Sequence, residues 1–212
     1  MSHYRKDMNI IDFQKQFQSY QVFSLHDIKK FFPDFSYRQI DRWEKNGCLT
    51  KIKQSFYTLA DQDINQSFSF TVANRIYHPS YISLEKALKY YGLIPEEVFQ
   101  ITSVSTKKTV EFDTPIGNFG YRHISPKLFW GYKLIKTGSS KFLIADVEKA
   151  ILDYLYLNPN LKTVDDFEGI RINSDSFAEY VDMKKFQKYL KAFDKIALSK
   201  RASTFLNTIH HD

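Results

Sequence analysis

Residues 24–59 read SLHDIKKFFPDFSYRQIDRWEKNGCLTKIKQSFYTL, and this stretch decides the architecture of the N-terminus. Ser24 can cap a helix over Leu25–Phe32, with Leu25, Ile28 and Phe32 on its inner side. Pro33 ends that helix, because proline has no amide hydrogen to donate and restricts the residue before it. After the break Pro33-Asp34-Phe35, Ser36 can cap a further helix, Tyr37–Asn46, with Tyr37, Ile40 and Trp43 inward. Gly47 stands where helices stop in a left-handed turn. Leu49–Lys53 and Phe56–Leu59 then read as two short strands around Gln54-Ser55. Immediately upstream, Ile10, Ile11, Phe13 and Phe17 fall at helical spacing over Ile10–Phe17. Helix, helix, short turn, helix and hairpin is the order of a winged helix-turn-helix.

The charges fall on the side that the apolar pattern leaves free. Arg38, Arg42 and Lys45 lie at i, i+4 and i+7, one stripe opposite Ile40 and Trp43. Lys51 and Lys53 are two apart on a strand, so simple alternation puts both on one face. From Arg38 to Lys53 these five basic residues face two acidic ones, Asp41 and Glu44. A helix-turn-helix with a basic recognition face and a basic wing points to DNA, with these five residues as the contact set.

The whole chain agrees with that direction. It has 212 residues and a formal net charge of +6, which favours polyanionic partners. The apolar share is 43% and the aromatic share 17%, enough for a packed core and too much for a disordered chain. Seven glycines and six prolines leave little room for long flexible linkers. No apolar run approaches the roughly 18–20 residues of a membrane-spanning helix, and Met-Ser-His-Tyr-Arg-Lys-Asp at the N-terminus is polar. A cytoplasmic protein without a membrane role is expected. The single cysteine, Cys48, excludes an intrachain disulfide and a multi-cysteine zinc site.

Asp61–Ser69 is polar and marks the junction between residues 1–65, the winged helix, and a larger domain over 66–212. There the pattern predicts helices at Phe70–Tyr77 and Leu84–Tyr91, the latter capped by Ser83 and ended by Gly92. Gln100–Ser105 reads as a strand. A long-looped hairpin is predicted from Thr109–Phe112 and Phe119–Ile124, and a second hairpin from Tyr132–Ile135 and Phe142–Ile144 around Gly138-Ser139-Ser140. Asp146 is placed to cap a helix that turns Val147, Ala150, Ile151, Tyr154 and Leu155 inward, with Glu148 and Lys149 on its surface. Residues 158–168 read as a loop and Phe177–Tyr180 as a short helical turn. Met183–Ala197 reads as one basic amphipathic helix, with Phe186, Tyr189, Leu190, Phe193 and Ile196 inward and Lys184, Lys185, Lys188, Lys191 and Lys195 outward. The fold class is α+β: a winged helix-turn-helix, then a mixed domain with antiparallel hairpins and a C-terminal helix.

Longer motifs add a family likeness. His78-Pro79-Ser80-Tyr81-Ile82-Ser83-Leu84-Glu85 through Tyr90-Tyr91-Gly92-Leu93-Ile94-Pro95 resembles the AbiEi-type antitoxins of abortive-infection, type IV toxin–antitoxin systems. So do Ile101-Thr102-Ser103-Val104 with Thr106-Lys107-Lys108-Thr109, Thr114-Pro115-Ile116-Gly117, Tyr121-Arg122-His123-Ile124 and Ala145-Asp146-Val147-Glu148-Lys149-Ala150-Ile151-Leu152-Asp153. Arg42, Gly47-Cys48-Leu49 and Phe56-Tyr57 fit that family's winged helix. The likeness covers roughly residues 10–160. It implies a winged helix that represses its own operon and a second domain that counteracts a nucleotidyltransferase-like toxin, a phage-defence role. The family usually carries a glycine in the wing turn, where this chain has Ser55.

Other chemistry has thinner support. His3, His26, His78, His123 and His210-His211 are scattered without metal-ligand spacing, and His123 reads as structural. No glycine-rich phosphate loop is present, so no cofactor, no metal and no catalytic residue is predicted. Asp165, Asp166 and Glu168 cluster in a predicted loop and are the best carboxylates for the rival reading, a metal-dependent nucleic-acid enzyme delivered by the winged helix. A winged-helix interaction module without a toxin partner is the third reading. Lys107 and Lys108, joined to Arg122, could form a second basic patch facing the toxin or its nucleic-acid substrate, or be an ordinary exposed hairpin. Tyr81, Tyr90, Tyr91 and Tyr121 have the spacing of core aromatics, with base stacking as the alternative.

Overall fold

A computed structural model describes residues 9–209; His3, His210 and His211 lie outside the described residues. The N-terminal part runs α1 (Ile10–Phe17), β1 (Phe23–Ser24), α2 (Leu25–Phe31), α3 (Tyr37–Lys45), β2 (Leu49–Lys53) and β3 (Phe56–Leu59). Local chemistry sets the helix starts. Ser24 and Ser36 each form a capping box, with Asp27 and Gln39 at the third helical position returning a bond to the cap backbone. The three short strands make an antiparallel sheet in the order β1-β3-β2. This is winged-helix topology. Its core is aromatic: Phe13 lies 4.9 Å from Trp43 and 4.7 Å from Phe17, centroid to centroid, with Phe23, Ile28 and Ile40 buried around them. Tyr37, expected inside, is exposed at the first turn of α3, and Gln39 takes the inner position through its capping bond.

The wing departs from simple alternation. Lys51 pairs with Tyr57 and Lys53 with Phe56, so a bulge falls between the two lysines. The extra residue turns Ile52 into the larger core and separates the lysine directions. Lys51 is exposed, whereas Lys53 is half-buried. The expectation that both share one solvent face is corrected by this bulge. The wing turn holds Ser55 at a φ of 68°, the left-handed conformation that a glycine would adopt without strain.

The second part runs α4 (Gln66–Ile76), β4 (Ser80–Ile82), α5 (Leu84–Tyr90), β5 (Ile101–Ser105), β6 (Val110–Thr114), β7 (Gly117–His123), β8 (Tyr132–Thr137), β9 (Ser140–Ala145), α6 (Val147–Leu157), α7 (Val164–Glu168), α8 (Ser174–Tyr180), α9 (Met183–Phe193) and α10 (Ile196–Ile209). Its six strands form one mixed sheet in the order β6-β7-β5-β4-β9-β8. The sequential pairs β6–β7 and β8–β9 are antiparallel hairpins, while β5–β7 and β4–β9 are parallel. The α+β class therefore holds. The first hairpin is tighter than expected: its strands run to Thr114 and Gly117, leaving only Pro115-Ile116 between them. Adjacent residues of β7 reach opposite layers. The Tyr121 hydroxyl donates to the carbonyl of Ala73 in α4, and Arg122 donates to the carbonyl of Leu157 in α6.

The C-terminal third is more helical than its sequence suggests. Residues 164–168 form a helix turn, not a loop, and the predicted Met183–Ala197 helix is two helices. Asp194 sits at a φ of 50° and ends α9 in a left-handed cap. Ile196, expected inside, consequently begins α10 at 80% exposure. Leu198, Ala202, Phe205 and Ile209 of α10 enter the main core with Phe186 and Phe193 of α9.

Candidate nucleic-acid interface

Ile40 and Trp43 are 1% and 4% exposed, which fixes the rotation of α3. Burial of two such side chains stabilises that setting by about 1.5–3 kcal/mol each before entropy is counted. The opposite face of α3 then presents Arg38, Arg42 and Lys45, all exposed. Among the described residues, no salt bridge engages these three or Lys51. Burial, and then the Glu44 and Asp41 carboxylates of the same helix, push the Tyr57 phenol up.

Lys53 behaves differently from the other four. Its ammonium lies 3.5 Å from the centroid of the Phe112 ring on β6 and 5.5 Å from that of Tyr77, just after α4. Burial, and then the neighbouring Lys107, push its pKa down. Lys107 is itself 5.3 Å from the Tyr77 centroid, so two ammonium groups share one ring. In the sequence, Tyr77 and Phe112 carry no mark of this contact. Their only signal there is being aromatic at the ends of predicted elements.

Of the second basic patch, Lys107 and Lys108 are together and exposed on the β5–β6 connection. Arg122 is not with them, because it points through the other face of β7 to α6. Compared with known proteins, the chain matches no protein-family model and no curated sequence.

Of the carboxylates considered for metal chemistry, Asp166 is engaged in its own helix start. Asp166 accepts the amides of Lys162 and Thr163 at 2.8 Å each and completes a capping box, and these bonds hold its pKa down. Among the described residues no group of three or more His, Cys, Asp or Glu is placed to hold a metal ion. No helix among them is long and apolar enough to cross a membrane. Tyr81 and Tyr121 are core residues, at 0% and 1% exposure.

Two side-chain assignments on α6 are corrected. Asp146 stands at the N-cap but makes no side-chain capping bond; its carboxylate accepts from the Tyr189 hydroxyl at 2.9 Å and pairs with Lys185 at 3.2 Å. Glu148 and Lys149 are buried, not on the helix surface. Glu148 pairs with Lys185 at 2.9 Å and accepts the Asp182 amide, fastening α9 to α6. Lys185 is therefore taken out of the outer face of α9, which keeps Lys184, Lys188 and Lys191, all exposed.

The two parts of the chain touch through specific contacts. Asp27 of α2 pairs with Arg75 of α4 at 2.6 Å. The Gln21 amide donates to the Ser140 hydroxyl at 2.6 Å. Val22 and Ile52, from the N-terminal part, are buried in the larger core.

Proposed function

We propose that the chain is a DNA-binding transcriptional autorepressor and antitoxin of a type IV, abortive-infection system, acting in the cytoplasm without enzymatic activity or cofactor. The observation that carries the DNA-binding half is the outer face of α3. Arg38, Arg42 and Lys45 are exposed and unpaired on a helix whose rotation is set by Ile40 and Trp43, beside a wing that exposes Lys51. A recognition helix of this kind suits the major groove, where arginine grips guanine through two parallel bonds worth about 1–3 kcal/mol against a wrong base. Lys51 suits the phosphates, which set affinity and salt dependence but carry little sequence information. The antitoxin half rests on the motif likeness of residues 78–153 to the AbiEi-type family. Its partner there is a nucleotidyltransferase-like toxin, opposed with or without a stable complex.

Titration of the DNA upstream of its own reading frame, against a scrambled duplex, tests the first half. Arg38→Ala/Arg42→Ala should bind the upstream DNA more weakly and lose preference for it. A folded variant with wild-type affinity and preference refutes the reading. Co-expression with the toxin encoded beside it tests the second half. The same variant should still protect the cell, because its second domain is untouched.

A further inference from the structure

The contact between the wing and the second domain gathers positive charge where a packed interface would ordinarily neutralise it. Lys53 from β2 and Lys107 from the β5–β6 connection flank the Tyr77 ring, at 5.5 and 5.3 Å from its centroid. Beside them lies an open depression of about 480 Å³ lined by Tyr77, Thr106, Lys107, Lys108 and His123. No carboxylate lines it, and among the described residues no salt bridge engages Lys53, Lys107 or Lys108. The backbone is held in place around it. The Tyr77 hydroxyl donates to the Lys108 carbonyl at 2.8 Å, His123 Nδ1 lies 3.0 Å from the Lys107 carbonyl, and the Lys107 amide donates to the Ser105 hydroxyl at 3.1 Å.

Like charges held near each other without a counter-ion repel, and the repulsion falls when an anion sits between them. The aromatic faces of Tyr77 and Phe112 offset part of it for the free protein. We propose that this depression binds a phosphate of the nucleic-acid backbone, so that the DNA entered by α3 continues across the wing onto the second domain. Lysine is a point-charge phosphate ligand that makes no demand on the sequence of the strand. Lys51, two residues before Lys53 on β2, is exposed on the wing. The proposal rests on the DNA-binding reading and extends it: the second domain becomes part of the DNA-binding surface as well as the antitoxin.

The test uses the full chain, the duplex upstream of its own reading frame and a scrambled duplex of equal length, titrated over a range of salt. Each phosphate contact contributes about 0.9 to the slope of log affinity against log salt. Lys107→Ala/Lys108→Ala should bind both duplexes more weakly, with a slope smaller by about one to two and an unchanged preference between them. Lys107→Glu/Lys108→Glu should weaken both further. Both lysines are exposed, so thermal melting should match wild type and guard against a folding artefact. A wild-type slope in both variants, with Arg38→Ala/Arg42→Ala still defective, overturns this proposal and leaves DNA on the winged helix alone; the patch would then face another partner. Failure of the wild-type protein to bind either duplex removes the DNA-binding reading and this one together.

Discussion

Lys149 and Asp153, one turn apart on α6, form an ion pair from which solvent is wholly excluded. Asp153 also accepts the Tyr81 and Ser83 hydroxyls, each at 2.9 Å, and the Lys149 ammonium lies 4.9–5.4 Å from the ring centroids of Phe193, Trp130 and Tyr81. Burial pushes the Asp153 carboxyl up and the Lys149 ammonium down. The cluster joins β4, α6 and α9, so it ties the sheet to the C-terminal helices. Removing one partner of such a pair strands the other charge and costs about 3–5 kcal/mol. Lys149→Met should therefore unfold at much lower urea. Lys149→Met/Asp153→Leu should be less destabilised than the sum of the single changes, because no lone charge remains. Strict additivity would mean that the two groups are not energetically coupled.

Asp27 gives the fold an acid-sensitive joint. Burial raises its pKa, but bonds from the Ser24 amide and hydroxyl and from Arg75 outweigh that and bring it to about 2. A carboxylate whose folded pKa lies below its unfolded value adds stability above the unfolded pKa and loses it as pH falls toward the folded one. The window is thus from near 4 down to near 2. Half of the Arg75 side chain is exposed, so the contribution is discounted for screening to about 1–2 kcal/mol. Urea midpoints measured across that window should fall more steeply for wild type than for Asp27→Asn, which should also be weaker at pH 7. Parallel curves would show that the joint contributes nothing.

The C-terminal helices should be indispensable to the core. Phe186, Phe193, Leu198, Ala202 and Phe205 are each 2% exposed or less. Truncation after Asp182 would open the faces they cover on α6 and α7. The truncated chain should lose cooperative melting and bind a hydrophobic dye, and Phe186→Ala in the full chain should cost about 3–5 kcal/mol. An unchanged melting temperature after truncation would mean that α9 and α10 are accessory.

How far the sequence reveals these features depends on how local their causes are. Ser24 and Ser36 bond within their own first turns, and Ile40 with Trp43 keeps a strict helical spacing, so α2, α3 and the basic stripe are legible. Lys149 and Asp153 are not. Opposite charges four apart on a helix are the usual mark of a solvated face, and only the arrival of β4 and α9 makes them interior. The same holds for Arg122, whose partner is 35 residues away, and for Lys53, displaced by a bulge that alternation cannot reveal. The break at Asp194 is hidden because aspartate is no glycine, and the apolar spacing of α9 runs on into Ile196.

Ser55 offers a test of the wing itself. Its φ of 68° is a conformation in which a side chain meets its own backbone, at roughly 1–2 kcal/mol. Its carbonyl accepts the Leu25 amide at 3.0 Å, so the wing turn is tied to the first residue of α2 and cannot relax alone. Ser55→Gly removes the steric strain but adds about 0.5–1 kcal/mol of backbone entropy to be lost on folding. The net change should be small and on the stabilising side, within about 1 kcal/mol. Ser55→Val places a β-branched side chain in the left-handed region and should destabilise by more than about 1 kcal/mol. Urea unfolding of the three proteins should rank glycine at or above serine, and serine above valine. Valine equal to serine would mean that the turn is not held in this conformation, and that the bulge separating Lys51 from Lys53 needs another cause.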